Sequence, residues 1–155
     1  MSSYERSGWR DQKISLRHRA WGFNCPAVDM DFLLLEFNHG APVAVVDYKH
    51  CAKTDPLDGL HDSAIQALSG LYDDRGENLP FFVSRYWPDI WAFKVLPIND
   101  AAKRWLPSDA WTAMTEQQWV IGLYKLREHV LGIRDQKYIE RLNSVMPPDE
   151  DLEVA

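Results

Sequence analysis

Residues 31–49 read DFLLLEFNHGAPVAVVDYK, and this stretch decides the fold. Two apolar runs, residues 31–37 and 42–48, flank the short segment Asn38-His39-Gly40. Gly40 can supply the positive φ that a tight turn requires, so the stretch predicts a β-hairpin. Because both faces of each run are apolar, we expect the two strands to be central in a sheet that is covered on both sides.

Working outward from the hairpin, hydrophobic spacing and capping residues predict alternating helices and strands. Residues 2–20 are helical in part, and residues 61–72 form a helix with Ile65, Leu68 and Tyr72 on its buried stripe. Asn99 and Thr115 are N-caps of helices over 100–105 and 116–131, and Gly132 ends the second of these. The remaining predicted elements are strands at 81–86 and 90–96 and a last helix at 135–145.

The resulting fold class is α/β, a four-stranded mixed sheet flanked by helices with additional C-terminal helices. We expect a single domain over residues 1–146 and an acidic, disordered tail over residues 147–155. The 155 residues, 46% hydrophobic and 26% charged, fit one globular core. No apolar run is long enough to span a bilayer and the first ten residues do not resemble a signal peptide, so we expect a cytoplasmic protein.

The charged residues at the ends of the hairpin strands are the candidate site. Asp47 and Lys49 alternate onto one face, and Asp31 opens the partner strand. Two carboxylates held together repel each other unless a cation lies between them, and oxygen ligands favour Mg²⁺ or Mn²⁺. The backbone carbonyl of Tyr48 is a further oxygen ligand. Asp29 competes with Asp31 for the role of first metal ligand, because both have the same strand parity.

This arrangement resembles the PD-(D/E)xK nuclease superfamily, which has the restriction-endonuclease-like fold and includes resolvases and RecB-type nuclease domains. The resemblance covers residues 1–96. It implies a Mg²⁺-dependent nuclease that hydrolyses phosphodiester bonds in DNA, with Asp31, Asp47 and Lys49 as catalytic residues. Met30 stands where the motif has proline. Compact nucleases of this kind resemble those encoded by phages and prophages.

The same resemblance implies two accessory residues. Some members of the superfamily add a glutamate from the first helix, for which Glu5 is the candidate. RecB-like members carry a glutamine on the helix after the lysine, and Gln66 matches that position. The ordinary alternative for each is an exposed helix residue.

Charge gives a mixed indication about a nucleic-acid partner. The net charge of −6 argues against DNA, but the acidic tail contributes four negative charges and residues 1–22 carry a local charge of +3. Within that segment, Arg17 and Arg19 are candidate phosphate contacts and Trp21 a candidate base-stacking residue.

Two alternatives to the nuclease hypothesis remain open. One is a catalytically inactive protein of the nuclease fold that binds nucleic acid or a protein partner. The other is a small acidic interaction protein in which the aspartates and the lysine are ordinary surface residues. The sequence leaves the oligomeric state open, a homodimer included.

Overall fold

A computed structural model describes residues 13–22, 27, 30–53 and 62–145 of the chain. In order, the elements are helix α1 (Lys13–Ala20), strands β1 (Phe32–Glu36) and β2 (Ala41–His50), helix α2 (Asp62–Ser69), strands β3 (Phe81–Trp87) and β4 (Ala92–Pro97), helix α3 (Asp100–Lys103), strand β5 (Thr112–Thr115) and helix α4 (Glu116–Val145). No helix in these ranges is both long enough and apolar enough to cross a membrane.

The strands form one mixed sheet in the order β1-β2-β3-β4-β5. β1 and β2 are antiparallel, and the turn between them contains Gly40 at φ 60°, as the hairpin prediction requires. β2 and β3 are parallel and are connected through α2, whereas β3, β4 and β5 follow one another in antiparallel pairs. The α/β class is therefore confirmed, with five strands among the described residues instead of the predicted four.

Strand β2 is the centre of the core because both of its faces are covered. On one face Ala44 and Val46 pack with Phe82 and Val95 against Trp119 of α4. On the other face the core consists of Val45, Phe81, Val83, Leu79 and Leu68 of α2. Thus the valine-rich run is buried on both sides as expected.

The prediction that both hairpin strands are central was wrong for β1. This strand lies at the edge of the sheet, and Phe32, Leu33 and Leu35 are all more than 40% exposed. An apolar run on both faces is typical of a buried strand, but within the part of the chain that the structure describes β1 has one neighbouring strand, and most of its side chains are exposed.

Two helices differ from the sequence prediction. α2 ends at Ser69, and its buried residues are Ala64 and Leu68, while Tyr72 lies outside the helix and is 64% exposed. α4 continues through Gly132 to Val145, so the two C-terminal helices are one. A glycine inside a helix costs only about 1 kcal/mol, and contacts of the second half of α4 offset this cost. Arg134 pairs with Asp74, and Asp135 lies 3.1 Å from the ring of His39.

The predicted N-caps are confirmed at α3 and α4. Thr115 accepts a hydrogen bond from the Gln118 amide, and the Gln118 side chain accepts one from the Thr115 amide, which is a capping box. Residues 112–115 also form the short strand β5, which was not predicted because four residues directly before a helix cap are too few to show strand alternation.

Asn99 connects more of the fold than a cap does. Its side-chain oxygen accepts hydrogen bonds from the Ala102 and Phe81 amides at 2.9 and 3.0 Å. Its side-chain nitrogen donates to the Leu79 and Ser69 carbonyls at 2.8 and 3.2 Å. One side chain therefore joins α3, the start of β3 and the end of α2.

Asn99→Ala is expected to lower the free energy of unfolding by about 2–3 kcal/mol, because it removes a cap and leaves part-buried backbone groups without partners. Urea unfolding followed by circular dichroism measures the change. Asn38→Ala in the exposed hairpin turn is the control, with an expected effect below about 0.5 kcal/mol. Equal effects of the two substitutions would contradict the role of Asn99.

Candidate metal centre at the open end of the hairpin

The site lies where β2 continues past the start of β1. The last paired residues of the hairpin are Phe32 and Val46, so among the described residues no strand lies beside the end of β2 on that side. The Val45 amide donates to Pro80 on the β3 side, and alternation directs the amide and carbonyl of Tyr48 the other way. There the Asp31 carboxylate accepts a hydrogen bond from the Tyr48 amide at 3.2 Å.

Asp47 and Lys49 project from β2 on the face that α2 covers. Asp47 is only 7% exposed, and its Oδ1 atom is buried and has no hydrogen bond of good geometry. The Lys49 ammonium lies 3.2 Å from that oxygen, which makes an ion pair. The buried Asp47 carboxylate therefore already has a positive charge, the Lys49 ammonium, next to it.

The two aspartates act on each other. Burial and, after it, the adjacent Asp31 carboxylate raise the pKa of Asp47 to about 6, while Lys49 opposes the shift. The structure therefore brings together Asp31, Asp47 and Lys49, the residues selected from the sequence. A carboxylate in such surroundings keeps its negative charge more readily when a cation is bound beside it.

The available donors fit a small, hard divalent cation. Asp31, Asp47 and the carbonyl of Tyr48 offer oxygen atoms at one rim, and carboxylates with carbonyls are the ligands that Mg²⁺ and Mn²⁺ prefer. Within the described ranges there is no group of three or more histidine, cysteine, aspartate or glutamate side chains that could hold a metal. Mg²⁺ does not require such a group, because it is commonly held by one or two carboxylates and retains several waters.

Arg85 determines the path of the chain that follows β2. It is paired in register with Lys49 across β2 and β3, and its guanidinium donates to the carbonyls of Cys51 and Lys53 at 2.7 and 3.0 Å. Its other contact is the ring of Trp87, 5.1 Å away. Arg85 is therefore a positioning residue for the turn beside Lys49.

Lys94 is a charged residue near the same end of the sheet, and it was not predicted from the sequence. It pairs with Arg85 across β3 and β4, and its ammonium lies 5.9 Å from the Trp87 ring. Lys49, Arg85 and Lys94 therefore form a row of three cations on adjacent strands. Strand alternation places each lysine or arginine on a face, but only the pairing register shows that the three are side by side.

The other predicted residues lie apart from these contacts or outside the described residues. Gln66 is exposed on α2, whose buried side consists of Ala64 and Leu68. Arg17, Arg19 and Trp21 are exposed, and α1 has no buried residue. Asp29 and Glu5 lie outside the described residues, so Asp29 remains a competitor of Asp31.

No protein-family model, curated protein or solved structure matches this chain.

Asp47 makes the stability of the folded protein depend on pH. Its pKa in the folded protein, about 6, lies above the ordinary value of 3.8, so the folded state holds the proton more tightly. Stability from this group is fully present below about pH 4 and is lost as the pH rises to about 6. At pH 8 in EDTA, Asp47→Asn is expected to be more stable than wild type by an amount on the order of 2 kcal/mol, and therefore to unfold at a higher temperature.

Added Mg²⁺ or Mn²⁺ should raise the melting temperature of wild type and leave that of Asp47→Asn unchanged, since a ligand of the folded state stabilises it. Thermal unfolding in EDTA and in divalent cation measures both effects. Asp109→Asn is the matched control, because Asp109 also pairs with a lysine but is 93% exposed. A divalent shift that persists in Asp47→Asn would place the cation elsewhere.

Proposed function

We propose that this protein is a nuclease that uses Mg²⁺ or Mn²⁺ to hydrolyse phosphodiester bonds in DNA. The observation that carries the proposal is the grouping of Asp31, Asp47 and Lys49 at the open end of the hairpin. Asp31 is fixed by the Tyr48 amide, and Asp47 is fixed by burial and by Lys49. Paired carboxylates next to a lysine match the requirements of phosphoryl chemistry.

Each residue has a distinct part in this proposal. A bound divalent cation would polarise the phosphate and lower the pKa of a coordinated water. Asp31 and Asp47 would hold that cation, with the Tyr48 carbonyl as a third protein oxygen. Lys49 lies within 3.2 Å of Asp47 and would stabilise negative charge that develops on the scissile phosphate.

The order of elements supports a restriction-endonuclease-like core as part of the same proposal. An antiparallel hairpin carries the acidic residues, a helix follows, and the next strand is parallel to the second strand of the hairpin. The nuclease resemblance implies this succession of hairpin, helix and strand. We propose β5 and the long α4 as additions to that core.

The row of cations supports an anionic substrate in spite of the overall charge of −6. Like charges that face each other on adjacent strands destabilise a sheet. Lys49 faces Arg85 across β2 and β3, and Arg85 faces Lys94 across β3 and β4. An anion laid along that row would offset the repulsion. A phosphodiester backbone provides anions at regular intervals, and Lys49 would connect the row to the two carboxylates.

One observation favours the second candidate, a protein of the same fold that binds nucleic acid without cleaving it. The Lys49 ammonium already neutralises Asp47, so a cation would have to displace part of that ion pair. Metal binding and cleavage separate the two candidates. Incubation of supercoiled and linear DNA with Mg²⁺ or Mn²⁺, with EDTA as the control, gives cleavage for the nuclease alone.

Lys49→Ala should lower the single-turnover cleavage rate by about 10²–10³-fold, because a group that acts on developing charge contributes mainly in the transition state. DNA affinity should change much less. Rapid-quench cleavage and a binding titration are measured together for both proteins. Lys103→Ala is the control, since Lys103 pairs with Asp109 outside the site. Cleavage by Lys49→Ala at the wild-type rate would rule out the assigned role.

A further inference from the structure

Five aromatic side chains form a connected series across the same end of the sheet, which we name the aromatic row. Phe32 meets Tyr48 edge to face with ring centres 5.1 Å apart, and Tyr48 meets Tyr86 at 6.3 Å. Tyr86 is also in contact with His50 at 5.4 Å and lies nearly parallel to Trp91, at 16° and 6.4 Å. The row therefore runs from the start of β1 to the turn before β4.

The row is anchored in the core at its centre and exposed at both ends. Trp119 of α4 donates a hydrogen bond to the Tyr48 hydroxyl at 3.0 Å, which fixes the central ring. Phe32 is 54% exposed and Trp91 is 50% exposed. Single exposed aromatic residues need no explanation, but a connected row of them on rigid strands is a surface for a partner.

Trp91 occupies a backbone conformation that a bulky residue rarely adopts. Its φ is 47°, the only positive value among the described residues other than glycine. This conformation costs on the order of 1 kcal/mol or more and is typical of functional positions. In this turn it accompanies the parallel stacking of the exposed indole on Tyr86.

The row and the carboxylate site share one rim but lie on opposite faces. Phe32 follows Asp31, and Tyr48 and His50 alternate with Asp47 and Lys49 along β2. Charged groups for a phosphate and rings for a base are therefore adjacent along the chain. A single DNA strand that crosses this end of the sheet would contact both the charged groups and the rings.

We propose that the aromatic row stacks unpaired bases, and that the substrate is single-stranded DNA or DNA with unpaired nucleotides at the cleavage point. This inference rests on the proposed nuclease function and narrows its substrate class. In a duplex the faces of the bases are covered by their neighbours, whereas unpaired bases can stack on aromatic side chains.

Charge favours this occupant over a second copy of the chain or another protein. The cation row of Lys49, Arg85 and Lys94 lies on the other face at the same strand ends. A partner that presents only an apolar surface would use the rings and make no use of the positive charge of Lys49, Arg85 and Lys94, which Asp47 and two backbone carbonyls offset only in part. A nucleotide chain complements both, because its bases are aromatic and its backbone is anionic.

The test measures binding without cleavage, so that it is independent of the nuclease proposal. The full chain is titrated in EDTA at low salt into a fluorescently labelled oligo(dT) and into a duplex of the same length, with anisotropy as the readout. The variants are Trp91→Ala, Trp91→Phe and Phe32→Ala. Trp105→Ala is the matched control, because Trp105 is 40% exposed but packs against His129 outside the row.

Wild type should bind the single strand more tightly than the duplex. Trp91→Ala and Phe32→Ala should each weaken that binding by about 5-fold or more, as expected for the loss of one stacked base. Trp91→Phe should retain most of the affinity, and Trp105→Ala should match wild type. Equal affinity for the duplex, or equal effects of Trp91→Ala and Trp105→Ala, would overturn the proposal.

Two further outcomes separate the occupants and the two proposals. A change of oligomeric mass in Trp91→Ala, seen by sedimentation velocity with no change in DNA affinity, would assign the row to a second copy and overturn the inference. Single-strand binding that depends on Trp91 without any metal-dependent cleavage would uphold the row and overturn the nuclease function.

Discussion

The hydrogen bond from the Tyr48 amide to the Asp31 carboxylate is the contact on which the site depends. It forms because β2 extends past the first residue of β1, which leaves backbone groups of β2 without a strand partner. A side chain supplies the missing acceptor, and in doing so it brings a second carboxylate next to Asp47. The acidic pair is thus a consequence of unequal strand lengths in one hairpin.

Without a bound metal ion, this pair of carboxylates lowers the stability of the folded protein. Asp47 is buried beside another carboxylate, and the raised pKa records the cost of its charge. The surrounding structure tolerates this cost because β2 is held on both faces and along both edges for most of its length. Residues that lower the stability of the folded protein are common at sites that bind a ligand or carry out a reaction.

The sequence predicted the features that are encoded locally, and it failed where distant residues decide. The hairpin turn, the buried β2 and the caps Asn99 and Thr115 follow from glycine, alternation and side-chain hydrogen bonds. The edge position of β1 does not, since the number of neighbouring strands is a property of the whole sheet. The continuity of α4 through Gly132 likewise depends on contacts with the 73–74 loop and the hairpin turn.

The candidate site shows the same division. Strand parity alone put Asp47 and Lys49 on one face, and the apolar run after Asp31 identified the partner acid. Lys94 and the aromatic row needed the registers of β2 with β3 and of β3 with β4, which together bring residues as far apart in the sequence as Lys49 and Lys94 onto neighbouring strands. No local pattern marks such contacts, so they could not be predicted from the sequence.

Paramagnetic broadening by Mn²⁺ tests the central claim, that Asp31 and Asp47 form one cation site, most directly. Substoichiometric Mn²⁺ added to ¹⁵N-labelled protein should broaden the amide signals of Asp31, Tyr48 and Lys49 first, and Asp31→Asn should weaken that effect. Broadening centred on a different acidic group, such as Glu36 and Asp135 beside His39, would contradict the account.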